Sequence, residues 1–239
     1  MTLPLVTVVM NTLDDDPRDF RAALDSCLSQ MGVDVWLIVS TVEGDPSVDV
    51  ALAAGAEVVV GLAGGCAQIN RALHLVRGDW FCFMSGDDIM LPDRLARATE
   101  PYLQWGNTIV PAGGVLYNDY YEVDLRDRTS RIVELPPVYD YKLHLQRNFV
   151  PDVSVMAMWV LEKHGPFREE WGNRAFWDFW LRVAEDEGPG IFTHSARPDW
   201  IYYVRETSQH VRRKADAAWT ARESELTQRM LRSHGHGEG

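Results

Sequence analysis

Four short apolar runs alternate with amphipathic stretches through the first hundred residues of this 239-residue chain. The runs cover residues 5–10, 35–39, 58–60 and 80–84, and their β-branched or aromatic side chains are typical of buried strands. Asp16-Pro17 and Asp45-Pro46 begin the first two intervening helices, because Asp caps a helix start and Pro is favoured at the first helical position. Strands that alternate with helices predict a parallel, doubly wound α/β sheet.

The alternation is lost after residue 105. One clear helix is predicted at 173–186, because apolar residues recur there with the period of a helix. Short strands are predicted within 107–118, 153–159 and 199–205. This half is therefore expected to extend the sheet as a mixed sheet.

The C-terminal residues fall into two predicted parts. A charged, helix-prone segment covers residues 211–232 and is also a candidate surface for a homodimer. Residues 233–239 contain Gly and His without apolar partners, so they are predicted to form a disordered tail. His234 and His236 in that tail would bind metal only adventitiously.

Composition narrows the functional classes. The formal net charge of −12 disfavours nucleic acid and anionic lipid as partners, and 46% hydrophobic residues can bury one large core. Cys27, Cys66 and Cys82 have no metal-ligand spacing and are odd in number, so buried thiols in a reducing cytoplasm are expected.

The N-terminus does not have the pattern of a signal peptide, and no apolar run approaches the ~20 residues that span a bilayer. The protein is expected to be cytoplasmic and at most peripheral to a membrane.

Asp87 and Asp88 stand at the end of the apolar run 80–84. A buried parallel strand delivers such residues to the carboxyl edge of the sheet, where ligands bind in α/β folds. Adjacent carboxylates repel each other unless a cation shares their charge, so a divalent metal is a candidate ligand. The alternative is that Asp88 turns the chain and caps the helix that begins near Pro92.

Two nucleotide-binding classes lack their motifs here. A dinucleotide-binding fold requires a Gly-rich turn after the first strand and an acid at the end of the second. The chain instead has Asn11-Thr12-Leu13-Asp14 and Ser40-Thr41 at those places. A nucleotidyltransferase would need a Gly-rich loop with a basic residue near the N-terminus, which is also missing.

Five motifs occur in a recognisable order. They are Ser29-Gln30, Ser85-Gly86-Asp87-Asp88 with Pro92, Tyr117-Asn118-Asp119-Tyr120, the Trp-Asp-Phe-Trp-Leu-Arg run at 177–182, and Tyr202-Tyr203-Val204-Arg205 followed by His210. Together they resemble the family 2 glycosyltransferases, inverting enzymes of the GT-A fold, from about residue 5 to residue 210. The resemblance implies one GT-A domain at 1–210, with a nucleotide-sugar half to about 105 and an acceptor half from 106.

The resemblance also implies roles for the donor side. Asp87 would be the metal ligand of the family's Asp-X-Asp element, with Asp88 beside it, and the metal would be Mn²⁺ or Mg²⁺. His210 would be a further metal ligand, since a neutral imidazole suits divalent ions. The residues implied to bind the nucleotide diphosphate are Thr12, Ser40, Thr41, Asn70, Ser85, Asp87 and Arg205.

On the acceptor side, Asp178 matches the family's catalytic base. Its place at the border of the helix's apolar stripe predicts that it faces a crevice. The alternative is an ion pair with Arg182 one turn later, which needs no catalytic function. Trp177 and Asn118-Asp119 are implied to contact the acceptor sugar, although Asn118-Asp119 would equally end a strand with a turn.

Three departures from the family pattern bear on activity and specificity. Ser85 replaces the first acid of the Asp-X-Asp element, and Trp177 replaces a Glu before the base. Ser40-Thr41 stand where an acid usually holds uracil, and Glu43 is the one acid identified nearby. We therefore expect modest discrimination among pyrimidine nucleotides, with UDP-sugars favoured and TDP- or GDP-sugars following.

The sequence thus predicts a metal-dependent inverting glycosyltransferase that moves a sugar from a nucleotide-diphosphate sugar to a hydroxyl of a carbohydrate or other acceptor. The alternative is a nucleotide-sugar-binding protein of the same fold that has weak or no turnover. The replacements at Ser85 and Trp177 keep this second hypothesis open.

Overall fold

The computed structural model describes residues 2–104, 114–206 and 216–235. Its first half contains β1 (Leu5–Asn11), α1 (Pro17–Leu28), β2 (Asp34–Val42), α2 (Ser47–Ala53), β3 (Glu57–Gly61), α3 (Gly65–Ala72), β4 (Trp80–Ser85), β5 (Ile89–Met90) and α4 (Arg94–Gln104). The second half contains β6 (Val115–Asn118), β7 (Tyr120–Asp124), β8 (Thr129–Val133), α5 (Tyr141–Gln146), β9 (Val155–Ala157), α6 (Met158–His164), α7 (Ala175–Glu187), β10 (Phe192–Ser195), β11 (Trp200–Val204) and α8 (Ala217–Ser233). Short 3₁₀ helices cover Leu73–Leu75, Glu169–Arg174 and Pro189–Ile191.

Seven strands form the main sheet, in the order β10-β6-β9-β4-β1-β2-β3. The strands β1 to β4 pair in parallel, with Val8 opposite both Leu37 and Cys82. The strand β9 runs antiparallel to β4 and β6, and β10 is parallel to β6. This confirms the predicted α/β class, a mostly parallel sheet with a mixed extension.

The predicted helix starts are observed. Asp16 caps α1, where its carboxylate accepts a hydrogen bond from Arg18 N at 2.8 Å. Gly55, just after α2, has a φ of 80°, the left-handed conformation that Gly commonly adopts at the end of a helix. The three cysteines are buried free thiols, as predicted. None of the helices in the described ranges is long and apolar enough to cross a membrane.

A second sheet was not predicted. It has four strands in the order β5-β11-β7-β8, and only β11 had been expected, within residues 199–205. The hairpin β7–β8 was missed because its strands are half-exposed and charged, so they lack the apolar run that identified the buried strands. Residues 105–113, the first part of another predicted strand region, lie outside the described residues.

The C-terminal helix α8 packs on the 3₁₀ segment Glu169–Arg174. Arg174 donates a hydrogen bond to Thr227 Oγ1 at 2.8 Å and pairs with Glu223 at 3.1 Å. Met230 of the same helix is fully buried. The helix was predicted at 211–232, and residues 207–215 lie outside the described part of the chain.

A buried ion pair lies below the junction of the two sheets. The Arg94 guanidinium is 1% exposed and lies 3.5 Å from the Asp199 carboxylate, which is fully buried. It also donates a hydrogen bond to Val153 O. Burial raises the pKa of Asp199 to about 6, because Arg94 and Arg97 offset only part of the desolvation. Asp199 is therefore ionised at pH 8.

Removal of Arg94 is expected to destabilise the fold strongly. At pH 8, Arg94→Ala removes the buried partner of the Asp199 charge and leaves it with the partly exposed Arg97, 3.4 Å away, so it should lower the free energy of unfolding by about 3–5 kcal/mol. Urea denaturation measures this. Arg21→Ala is the control, since Arg21 forms a solvent-exposed pair with Asp25, and exposed pairs contribute little to stability. A similar small loss in both variants would contradict the structural importance of the buried pair.

Candidate active site

Residues 85–88, here called the acidic turn, lie at the carboxyl edge of the central parallel strands, as predicted. Ser85 at the end of β4 lies opposite Asn11 at the end of β1. Ser85 Oγ donates a hydrogen bond to Asp87 Oδ1 at 2.7 Å. Arg205, at the end of β11, reaches the same turn and donates to Asp87 O at 3.2 Å, with its guanidinium 3.5 Å from Asp87 Oδ2. The predicted grouping of Ser85, Asp87 and Arg205 is thus observed.

Gly86 allows the loops after β1 and β4 to approach each other closely. A Cβ at this position would lie 2.5 Å from Asp15 Oδ2 and 3.0 Å from Asn11 O. Any larger residue would therefore push the Asp15 carboxylate away. Asp15 is a site residue that sequence reasoning missed, although the run Asp14-Asp15-Asp16 directly after the first strand was a visible signal.

Three carboxylates in and around this turn repel one another. Burial and the charge of Asp87 raise the pKa of Asp15 to about 6. Burial and the charge of Asp87 also raise the pKa of Asp88 well above its usual range, although Tyr203 N donates a hydrogen bond to Asp88 Oδ1 at 3.0 Å. A bound cation would relieve this repulsion.

The side chains present could supply part of the coordination sphere of a divalent metal, with other ligands completing it. Carboxylate oxygens suit Mg²⁺ and Mn²⁺, and the Asp87 side chain is 26% exposed. Asp88 is buried deeper and also lines the adjoining cavity. In the ranges that the structure describes, no group of three or more His, Cys, Asp or Glu side chains forms a complete site. Diphosphate oxygens and water would therefore have to supply further ligands. His210, the third predicted ligand, lies outside those ranges.

The predicted nucleotide-binding hydroxyls lie at the ends of β1 and β2. Thr12, Ser40 and Thr41 are all buried, and Thr41 Oγ1 lies 3.4 Å from Ser47 Oγ. The amide of Gln68 joins the two strand ends, since it donates to Thr12 O at 3.1 Å and to Ser40 O at 3.2 Å. Gln68 was missed because one Gln in a helix carries no signal in the sequence.

The expectation that no fixed carboxylate follows the second strand was wrong. Glu43, the acid considered there, is exposed. Asp45 is buried, and its carboxylate accepts hydrogen bonds from Asp14 N at 3.3 Å and Ser47 N at 2.8 Å. Although burial alone would raise the pKa of Asp45, the hydrogen bonds from Ser47 and Asp14 lower it, so the group is held as an anion. The sequence had identified this Asp only as a helix start.

Two other predicted binding residues are used within the fold. Asn70 donates to Phe167 O at 2.8 Å and accepts from Phe167 N at 3.0 Å, which fixes α3 to the segment before α7. Trp177 is buried, and its indole donates to His144 O at 2.8 Å. Asn70 and Trp177 therefore do not present their polar groups to a ligand, because those groups already have internal partners.

The predicted pair Asn118-Asp119 is also buried. Asp119 Oδ1 accepts hydrogen bonds from Leu135 N and His194 Nε2, both at 2.8 Å. Its carboxylate therefore joins β6, β10 and the segment after β8. Of the two alternatives for this pair, the observed contacts match the end of a strand.

Asp178 lies behind a crevice and does not line it: a cavity of about 350 Å³ is lined by its partners Arg168 and Arg182. Its side chain is fully buried, and its oxygens lie 2.9 Å from Arg182 Nε and 3.3 Å from Arg168 Nη1. Burial alone would raise its pKa, but His234, Arg182 and Arg168 outweigh it and lower the pKa. A general base must reach the proton it removes and attract it, so this position is unsuited to the role. The ion pair with Arg182 that was considered as the alternative is present.

His234 is the third partner of Asp178. Its Nε2 lies 3.0 Å from Asp178 Oδ1, and its Nδ1 lies 2.7 Å from Glu185 Oε1. The sequence assigned this histidine to a disordered tail, whereas its side chain is 3% exposed and follows directly on α8. The composition of the tail could not indicate this contact, because the partners of His234 lie about 50 residues earlier in the chain. Residues 236–239 of the predicted tail, with His236, lie outside the described ranges.

A cavity of about 480 Å³ adjoins the acidic turn. Ser85 and Asp88 line one part of it, and Asp152, in the loop before β9, lines another. The remaining wall includes the aromatic rings of Phe83, Tyr120, Phe149, Trp200 and Tyr202. Asp152 is half-buried, and this desolvation raises its pKa to about 7 against the opposing charge of Arg174. It was not among the predicted site residues, since a single Asp after a Pro is typical of an ordinary turn.

Comparison with known proteins identifies the family of this chain and several proteins of similar structure. The sequence model of the family described as Glycosyl transferase family 2 matches residues 7–163, well over half of the chain. No relative of the sequence is found among curated proteins.

The chain is similar in structure to residues 1–349 of S. aureus TarS in complex with UDP, with a TM-score of 0.67 and 13% identity. That alignment covers 98% of this chain but 65% of the TarS chain, so this protein spans less than two thirds of that relative. Glucosyl-3-phosphoglycerate synthase from Mycobacterium tuberculosis, in complex with Mn²⁺, UDP and glucosyl-3-phosphoglycerate, has a TM-score of 0.65 and 16% identity. Here 97% of this chain and 80% of the other are covered. At sequence identities of 13% and 16%, these comparisons show that the folds are similar and nothing further.

The contacts of His234 predict a pH-dependent contribution to stability. Burial alone would lower the pKa of His234, but the hydrogen bonds to Asp178 and Glu185 raise it above the usual 6.5. The charged ring therefore contributes stability that is fully present below pH 6.5 and is lost as the pH rises through the raised pKa. At pH 6, His234→Gln should lower the free energy of unfolding by about 1–3 kcal/mol, the range for hydrogen bonds to charged groups.

Urea unfolding at pH 6 and pH 9 measures this contribution, and the difference between wild type and variant should shrink at pH 9. His74→Gln is the control, because His74 is exposed and its ring lies 2.7 Å from the backbone oxygen of Arg71, with no carboxylate partner among the described residues. An equal loss at both pH values would show that the His234 contact does not depend on charge.

Proposed function

Since the chain belongs to glycosyl transferase family 2, we propose that it transfers a sugar from a nucleotide-diphosphate sugar to an acceptor hydroxyl. One observation carries this proposal: the acidic turn with Asp87 and Arg205 lies at the carboxyl edge of the parallel strands, beside a cavity of about 480 Å³. Ligands bind at this edge in open α/β sheets.

The donor is proposed to lie along the ends of β1, β2 and β4. Its nucleoside would meet the loops that carry Thr12 and Asp45, and its diphosphate would meet Asp87 and Arg205. A guanidinium can donate hydrogen bonds to two phosphate oxygens at once, which supports the proposed role of Arg205. UDP is favoured as the nucleotide because complexes with UDP are known for the structurally similar TarS and glucosyl-3-phosphoglycerate synthase.

A divalent cation, Mn²⁺ or Mg²⁺, is proposed to be held by Asp87 together with Asp88. When bound, it would neutralise part of the diphosphate charge that develops on the departing nucleotide. The mutual repulsion of Asp15, Asp87 and Asp88 supports this assignment, because a positive ion in addition to Arg205 would stabilise these carboxylates. The structurally similar glucosyl-3-phosphoglycerate synthase from Mycobacterium tuberculosis is known in complexes with UDP and either Mn²⁺ or Mg²⁺.

We propose an inverting reaction by a single displacement. The acceptor oxygen attacks the anomeric carbon from the side opposite the diphosphate, while a base removes the acceptor proton. Arg205 orients the diphosphate, and Ser85 orients Asp87 through the hydrogen bond of 2.7 Å. Asp178 was the base expected from the sequence, but its three cationic neighbours leave it poorly suited to accept a proton.

The alternative, a nucleotide-sugar-binding protein without turnover, is favoured by two observations. Ser85 stands where the family's Asp-X-Asp element has its first acid, and Asp178 is engaged in internal ion pairs. Release of UDP from UDP-sugars discriminates between the two functions, since a binding protein would hold the donor without cleaving it.

Nucleotide binding is expected to depend on a divalent ion at Asp87. Calorimetry should find that wild type binds UDP more tightly in Mn²⁺ than in chelator, and that Asp87→Asn loses about 10–100-fold of affinity in Mn²⁺, or about 1.4–2.8 kcal/mol. Asp34→Asn, a change of an exposed carboxylate at the start of β2, is the matched control. Equal UDP affinity of wild type in Mn²⁺ and in chelator would show that Asp87 holds no metal.

The buried Asp45 is expected to set the preference for the base. A carboxylate accepts a hydrogen bond from the ring N–H of uracil, and cytosine has no such proton at that position. Competition between UDP and CDP should therefore show a preference for UDP that falls by about 10-fold or more in Asp45→Asn. Glu43→Gln, at the exposed neighbouring acid, should leave it unchanged. If Glu43→Gln abolished the preference instead, the carboxylate that reads the base would be Glu43.

A further inference from the structure

We propose that Asp152, and not Asp178, is the catalytic base that accepts the proton of the acceptor hydroxyl. The assignment rests on the proposed glycosyl transfer. Its first support is position, because Asp152 lines the same cavity of about 480 Å³ as Ser85 and Asp88 of the acidic turn. An acceptor in this cavity would lie between the base and the donor's diphosphate site.

The loop that carries Asp152 is fixed on both sides. Ser154 closes a tight turn, since its N and Oγ donate to Pro151 O at 3.1 and 2.7 Å. Val153 O accepts hydrogen bonds from the buried Arg94 guanidinium and from Cys82 Sγ, the latter at 3.4 Å. Asp152 therefore sits in a preorganised position, as a catalytic group requires.

The Asp152 carboxylate is also available to react. None of the described residues donates a hydrogen bond to it, whereas Asp178 has three cationic partners. Desolvation raises the pKa of Asp152 to about 7, while the cations around Asp178 lower the pKa of that residue. A general base works best when its pKa lies near the working pH, so Asp152 is the better proton acceptor at neutral pH.

The step balances without any further reactant. The O–H bond of the acceptor breaks, and its proton moves to the Asp152 carboxylate. The acceptor oxygen forms a bond to the anomeric carbon of the donor sugar. The bond between that carbon and the diphosphate oxygen breaks, and its electron pair leaves with the nucleoside diphosphate.

Several ionisable groups surround Asp152. Asp88, Tyr120 and Tyr202 share the cavity, and Arg174 and Cys66 interact with Asp152 electrostatically. Burial raises the pKa of the Cys66 thiol to about 12 and also raises those of the two tyrosines, so these groups titrate far above neutral pH. Asp88 also has a raised pKa, so a pH profile must be combined with substitution of Asp152 to assign it.

The test uses UDP-glucose, UDP-galactose and UDP-N-acetylglucosamine with Mn²⁺, with water as the acceptor, and follows UDP release. Asp152→Asn is expected to lower kcat by about 100-fold or more while KM and the Kd for UDP change by less than about 3-fold. Asp152→Glu should regain part of the rate, because it restores a carboxylate. The wild-type rate should rise with pH and level off above about pH 7, and Asp152→Asn should lose this rise.

Two matched variants complete the comparison. Asp34→Asn removes an exposed carboxylate and should behave as wild type. Asp178→Asn should lower the unfolding temperature, since it disturbs buried ion pairs, and should keep the pH profile of the remaining activity.

Three outcomes would overturn the assignment. One is an Asp152→Asn variant that releases UDP at the wild-type rate, and another is a folded Asp178→Asn variant that alone loses turnover and the pH-dependent rise. A loss of UDP affinity above about 10-fold in Asp152→Asn would instead make it a donor-binding residue. A wild type that binds UDP but cleaves none of the donors would overturn the proposed transfer itself.

Discussion

The buried carboxylate of Asp88 connects the two sheets, and the geometry of the site depends on it. The chain leaves the parallel sheet at Ser85, passes through Asp87 and Asp88, and enters β5 of the second sheet directly afterwards. Asp88 accepts a hydrogen bond from Tyr203 N of β11, the strand that pairs with β5. Because an unsatisfied buried carboxylate is very costly, this contact fixes β11, and with it Arg205, next to the acidic turn.

The same junction concentrates more negative charge than the contact between Asp88 and β11 requires. Burial and the charge of Asp87 raise the pKa values of Asp15 and Asp88, and Arg205 lies against both Asp87 and Asp19. A fold selected for stability alone would replace such a cluster with apolar or neutral side chains. A cluster of this kind at a sheet edge beside a cavity is typical of a site that binds a cation and a charged ligand.

The C-terminal helix positions a charge that acts on Asp152, one of the residues that line the cavity. It holds Arg174 through Glu223 and Thr227, and the Arg174 charge acts on Asp152. His234, directly after the helix, closes over Asp178. The surroundings of Asp152 and Asp178 thus shift their pKa values in opposite directions. Cations fix Asp178 as a structural anion, and desolvation leaves Asp152 able to take up a proton near neutral pH.

The sequence by itself determined the central architecture and the position of the acidic turn. Apolar runs and Asp-Pro helix starts identify β1 to β4, α1 and α2, because buried strands and capped helices are local patterns whose periods can be read along the chain. The Asp87-Asp88 motif could be placed at a sheet edge for the same reason. The half-exposed hairpin β7–β8 has no such pattern and could not be found.

Only the tertiary structure decided which polar side chains face the site and which serve the fold. Asn70, Trp177 and Asp119 had the right residue types, but each has internal hydrogen-bond partners from other segments of the chain. Asp45 was recognisable as a helix start, but its burial became apparent only from the packed loops. The burial of Asp178 beneath His234 depends on contacts about 50 residues apart in the chain. Local propensity carries no information about such contacts, because they form only when distant elements pack together.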